Sequence, residues 1–127
     1  MMAINVEFHA GSLSVIAELN NNDLNHSEPI STTLTRSEFL LLRELVKYTG
    51  QHLSKDHLTH VGWPHSYVGP NSLNMAIMSL RKKLTAIGGF WEISTIQRHG
   101  YSLNLAMHSR HTHINLSHFG QIGYVEY

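Results

Sequence analysis

Cysteine is absent from the chain. That excludes disulfide staples, thiolate metal sites and a cysteine nucleophile. No apolar run approaches the roughly 18 residues that a membrane-spanning helix needs. The N-terminus also lacks the basic-then-apolar pattern of a secretory signal. A reducing, cytoplasmic setting suits such a chain. Enzyme signatures are missing too: there is no Gly-rich phosphate loop, no G-x-S-x-G and no pair of carboxylates within helical reach. Serine and histidine are both plentiful, so an apparent Ser–His pair arises by chance. The expectation is a non-enzyme with no catalytic residues and no cofactor.

Net charge is missing as well. Nine Lys and Arg balance nine Asp and Glu. Neutrality argues weakly against a nucleic-acid partner, but the distribution carries more information. Residues 1–68 hold Arg36, Arg43, Lys47 and Lys55 against seven acidic residues. Residues 69–113 hold Arg81, Lys82, Lys83, Arg98 and Arg110 against only Glu92. What the chain does have is 127 residues, enough for one domain with its own core, or one domain and a tail.

The central stretch of the basic half is Gly69 to Leu84. Leu73, Ile77, Leu80 and Leu84 recur at the helical period as one apolar stripe. Gly69 is placed as N-cap and Pro70 at the first helical position, giving a helix over 70–84. Its other face carries Asn71, Asn74, Met75, Met78, Arg81 and Lys82. Amides pair with base edges, methionines pack on thymine methyls and cations pair with phosphates. A surface helix that is merely solvated on that side is the plain alternative.

Upstream, residues 3–8 and 13–19 read as strands, and a third short strand fits near 29–33. Asn20 to Asp23 is a polar loop. Thr35-Arg36-Ser37-Glu38 is a capping box, with Leu34 and Phe39 at the hydrophobic-staple positions. The helix it opens runs through Phe39, Leu42, Leu45 and Val46, and Gly50 stops it. Ser54 caps a shorter helix through Val61, which Gly62-Trp63-Pro64 ends. After the Gly88-Gly89 break, 91–96 and 101–105 read as two strands around the tip Gln97-Arg98-His99-Gly100. The fold class is α+β: a small N-terminal antiparallel sheet, three helices and a C-terminal β-hairpin.

These segments together resemble the winged helix-turn-helix DNA-binding domain of the OmpR/PhoB response regulators. The matching residues are Leu34-Thr35-Arg36-Ser37-Glu38-Phe39-Leu40-Leu41-Leu42, Leu53-Ser54, Val61-Gly62-Trp63, Ser72-Leu73, Leu80-Arg81-Lys82-Lys83-Leu84 and Thr95 to Leu103. Trp63-Pro64 and the Arg98-His99-Gly100-Tyr101 tip look more like the ToxR/CadC branch of membrane-tethered activators. The resemblance spans about residues 3–105. It implies a domain over 1–105 and leaves 106–127 as a tail of unassigned role, with a linker to a membrane span beyond Tyr127 as one reading.

The resemblance also implies partners. The third helix would enter the major groove of promoter DNA through Asn71, Asn74, Met75 and Met78. Ser72, Arg81 and Lys82 would meet the backbone, and Arg98 and His99 would form the tip of the wing. The loop 62–68, with Trp63, His65 and Tyr67, would face RNA polymerase. A dimer on DNA is compatible with the pattern. Many family members carry Arg or His where this chain has Asn71, Ala76 and Ser79, so its groove face is less cationic. That departure keeps a second class open: a winged-helix protein-interaction module with little or no DNA binding.

The 11 histidines invite a metal reading. His108, His111, His113 and His118 cluster in the tail, and His57 and His60 lie three apart on a helix. Zinc needs three or four ligands in fixed geometry, and this spacing matches no metal motif. The expectation is no metal site.

Overall fold

The computed structural model describes residues 2–21 and 28–119. Two members of the polar loop, Asn22 and Asp23, and the tail beyond Phe119 with Tyr127 lie outside the described residues. Strands β1 (Met2–His9), β2 (Ser14–Asn21) and β3 (Ile30–Thr33) open the chain. Helix α1 (Arg36–Lys47), strand β4 (Leu53–Ser54), α2 (Lys55–Gly62) and α3 (Ser72–Ala86) follow. Strands β5 (Trp91–Ile96) and β6 (Gly100–Leu105), a short 3-10 turn (Met107–Ser109) and β7 (His113–Ser117) complete it.

Alternation along β1 and β2 sets which side of the first sheet is buried. Ile4, Val6, Phe8, Val15 and Ala17 face inward onto α1, where Phe39 meets the Phe8 ring edge-on at 6.1 Å. One core joins that sheet to all three helices and to Trp91, Ile93, Tyr101 and Leu103 of the hairpin.

Local chemistry starts α1 where the capping box predicts. The Thr35 hydroxyl accepts the Glu38 N–H at 3.1 Å, and the Glu38 carboxylate accepts the Thr35 N–H at 2.8 Å. Leu34 and Phe39 are both buried beside it. Glu38 has a second task. Lys83 Nζ of α3 donates to its Oε1 at 2.5 Å, and Ser79 hydrogen-bonds the same carboxylate. Burial pushes the Glu38 carboxyl up, but the hydrogen bonds from Lys83, Ser79 and Thr35 and the Lys83 charge outweigh it. The group is held below its ordinary 4.5. One carboxylate therefore caps α1 and fixes how α3 lies against it.

Three expectations change. Helix α3 spans 72–86 rather than 70–84. The Ser72 N–H donates to the Gly69 carbonyl at 3.2 Å, so Gly69 and Pro70 form a turn ahead of the helix. Asn71 is the residue at the cap, with no side-chain cap bond. Second, the hairpin is not alone: Leu53 and Ser54 pair with Tyr101 and Gly100, making a three-stranded sheet in the order β4-β6-β5. Third, the chain past 105 folds back. Strand β7 pairs parallel to β1 as the outermost strand of the first sheet, ordered β3-β2-β1-β7. Asn115 Nδ2 donates to Asn5 Oδ1 at 2.9 Å, and the Phe119 ring sits 5.1 Å from Phe8. A fold boundary at 105 thus leaves out a strand of the sheet.

Candidate nucleic-acid interface

Helix α3 divides into three stripes. Leu73, Ile77, Leu80 and Leu84 are buried. Asn71, Met75, Met78 and Lys82, spaced 4, 3 and 4 apart, form the outer stripe. All four are exposed, Met75 at 62% and Met78 at 54%. Asn74 and Arg81, two turns apart, form a side stripe that leans on the hairpin.

That side stripe is already engaged. Arg81 Nε donates to the Ile93 carbonyl at 3.0 Å, and Nη2 donates to Thr95 Oγ1 at 2.9 Å. The same guanidinium lies 5.8 Å from the centre of the Tyr101 ring. The Tyr101 hydroxyl donates to Asn74 Oδ1 at 3.0 Å. Arg81, expected as a backbone-contacting cation, is thus a brace between α3 and β5. Lys83 is turned to Glu38. Among the basic residues of α3, Lys82 is the one on the exposed outer stripe. Ser72, half-buried at the helix start, stands at the edge of this face.

The hairpin tip is tight. The His99 N–H donates to the Ile96 carbonyl at 3.0 Å, and Arg98 adopts φ +62°. Gln97, Arg98 and His99 are exposed. The tip is tied to the start of α2, because the Lys55 N–H donates to the His99 carbonyl at 3.0 Å. Gly100 makes that approach possible: a Cβ there would lie 1.8 Å from the Leu53 carbonyl oxygen.

Sequence reasoning missed Tyr101 and Lys55. Together with Asp56, Thr59, Pro70, Leu73 and Asn74 they line a groove of about 330 Å³ at the α2–α3 junction. A buried tyrosine hydroxyl requires a polar partner, and that requirement was a usable signal for Tyr101. Lys55 gave no signal, since a cation in the first turn of a helix looks simply solvated.

In the loop, Trp63 is half-buried and packs against the core, while His65 and Tyr67 are exposed, Tyr67 fully. His65 sits at φ +65°. The histidines disperse: His57 pairs with Glu44, His60 Nδ1 donates to the Asp56 carbonyl at 2.8 Å, and the His118 ring lies tilted at 5.6 Å from that of His9. Among the described residues no three metal-ligating side chains gather, and no helix is long and apolar enough to cross a membrane.

An exposed third helix beside a hairpin with a cationic tip, behind an N-terminal sheet, is a winged-helix arrangement. Residues 28–103 match the model of the family described as transcriptional regulatory protein, C terminal. The chain belongs to this OmpR/PhoB-type family. Solved structures agree. The DNA-binding domain of response regulator AdeR, in complex with an intercistronic region, is 21% identical with a TM-score of 0.61, covering 79% of this chain and 94% of that one. The C-terminal domain of the nisin resistance regulator NsrR, a lantibiotic response regulator, is 30% identical with a TM-score of 0.51, covering 68% and 82%. The DNA-binding domain of E. coli CadC is 22% identical with a TM-score of 0.55, covering 75% and 89%. A search of curated proteins finds no match. The family consists of DNA-binding regulatory domains of transcription and is not a class of enzymes.

Proposed function

We propose that this winged helix binds double-stranded promoter DNA by laying the outer stripe of α3 in the major groove. The observation that carries the reading is the exposed run Asn71, Met75, Met78 and Lys82 beside the exposed tip Arg98. Amide and thioether groups at the centre read base edges and methyls, and cations at both ends hold phosphates. The wing tip 97–100 reaches the neighbouring minor groove or backbone, where a guanidinium pairs well with a phosphate. Arg81 supports this by holding the wing at a set distance from the helix. Tyr67, displayed on the loop beside the reading helix, meets RNA polymerase and makes the protein an activator; exposed aromatics are common anchors at protein interfaces.

One observation favours a second reading. Two exposed methionines lie at the middle of the face, and such side chains also serve adaptable protein-binding surfaces. A mobility-shift titration on random and promoter duplex at two salt concentrations separates the two. Phosphate-based binding weakens steeply with salt. A protein-only module gives no shift at either concentration.

A further inference from the structure

We infer that the groove between α1 and the end of α2 docks an acidic, extended protein segment. All its lining residues fall within 36–66 and none belongs to α3 or the hairpin, so the inference goes beyond the DNA reading and does not depend on it. The groove has a volume of about 580 Å³. Arg36, Leu40, Arg43 and Lys47 follow one another at helical spacing along its α1 wall. His57 and His60 of α2 and His65 of the loop line it from the other side. Leu40, Val61, Trp63 and Pro64 supply its apolar surface.

Charge and length choose the occupant. Glu44 is the one acidic residue in the lining; it is 8% exposed and already engaged by His57. Arg36 lies in the first turn of α1, where the helix dipole disfavours a cation. Helix stability does not explain its place, whereas an anionic partner does. Lys47 stands at the far end, exposed, with its Nζ 5.4 Å from the centre of the Tyr48 ring. From Arg36 to Lys47 the helix rises about 16 Å, the span of about five residues of extended chain. A small anion cannot bridge that distance, and an apolar lining offers nothing to a phosphate backbone. A protein segment with carboxylates toward both ends, and one or two leucine-sized side chains against Leu40 and Trp63, satisfies the cations and the apolar surface together.

Fluorescence anisotropy with a labelled octapeptide of glutamates, carrying leucines at its centre, tests this without DNA. Wild type binds the peptide saturably, and amide shifts place it on 36–47 and 60–66. The double variant Arg36→Glu with Lys47→Glu binds at least about 10-fold more weakly. It binds the matching lysine octapeptide instead, which wild type does not. Both substituted side chains are exposed, and Arg43, 7% exposed, is left in place as part of the wall. Should the double variant not fold, Lys47→Glu alone reads the same direction. Replacing the central leucines of the peptide by serine also weakens binding, by about 10-fold. No saturation up to about 1 mM peptide, an unchanged affinity in the charge-reversed variant, or shifts that fall on α3 and 97–100 overturns the inference. So does a serine-substituted peptide that binds equally well, because charge alone then suffices. Binding of wild type to duplex is read separately and bears only on the major-groove reading.

Discussion

Glu38 carries two jobs on one buried carboxylate, and replacing it measures both. It is 2% exposed, accepts the Thr35 N–H at 2.8 Å and accepts Lys83 Nζ at 2.5 Å. Glu38→Ala removes the reciprocal half of the capping box, worth about 1 kcal/mol, and a hydrogen bond to a charged group, worth about 1.5–3 kcal/mol. The sum predicts a loss of about 2.5–4 kcal/mol at pH 7. Glu38→Gln can still reach back to the Thr35 N–H but loses the charge, so its loss is about 1–2 kcal/mol. The pH dependence gives the sign. The folded carboxyl titrates below its ordinary 4.5. Its contribution is therefore full above 4.5 and is lost as pH falls through the lower, folded value. Glutamine does not titrate, so the gap between wild type and Glu38→Gln closes as the pH drops past that value. The other carboxylates are common to both proteins and cancel in the difference. Urea melts at pH 7 and at several values down to pH 3 measure this. A gap that stays constant over the range refutes the charged Glu38–Lys83 contact as a source of stability.

Other expected outcomes concern the wing, the helix and the loop. Gly100→Ala forces Leu53 away from β6, because the new Cβ would sit 1.8 Å from its carbonyl oxygen; a loss of roughly 1–3 kcal/mol in thermal or urea unfolding is expected. Arg98→Ala weakens DNA binding by about 1–3 kcal/mol without lowering the melting temperature, since Arg98 is exposed at the tip. Lys82→Ala weakens specific and scrambled duplexes alike and reduces the salt slope by about one. Tyr67→Ala lowers promoter transcription in a reconstituted assay and leaves promoter affinity unchanged.

What could be read in advance divides by range of interaction. The start of α1 was legible because Thr35, Glu38, Leu34 and Phe39 are neighbours in sequence, and their chemistry is local. The buried stripe of α3 was legible for the same reason. Strand β7 was not. Its pairing with β1 joins Asn5 to Asn115, and a parallel partner that far along the chain leaves no turn signal. Strand β4 has two residues, too few for any period. Proline at a helix start fits both the first helical position and the turn before it, so Pro70 was placed inside a helix that begins two residues later, at Ser72. In the candidate interface, Asn71, Met75, Met78 and Lys82 appear on the exposed face as expected. Asn74 and Arg81 looked equivalent to them because helical spacing shows which way a residue points and not what stands there. Tyr101, Thr95 and the Ile93 carbonyl fill that side, and all come from strands 12 to 27 residues away.

The central claim is that α3 and the wing tip form one DNA-binding face. Mapping amide chemical shifts during titration with a promoter duplex tests it most directly. The proposal predicts perturbations confined to Asn71–Lys82, Gln97–Gly100 and the adjoining start of α2 at Lys55, with the sheet β3-β2-β1-β7 unaffected. Perturbations that fall on α1 and the 63–67 loop while α3 stays silent would contradict it.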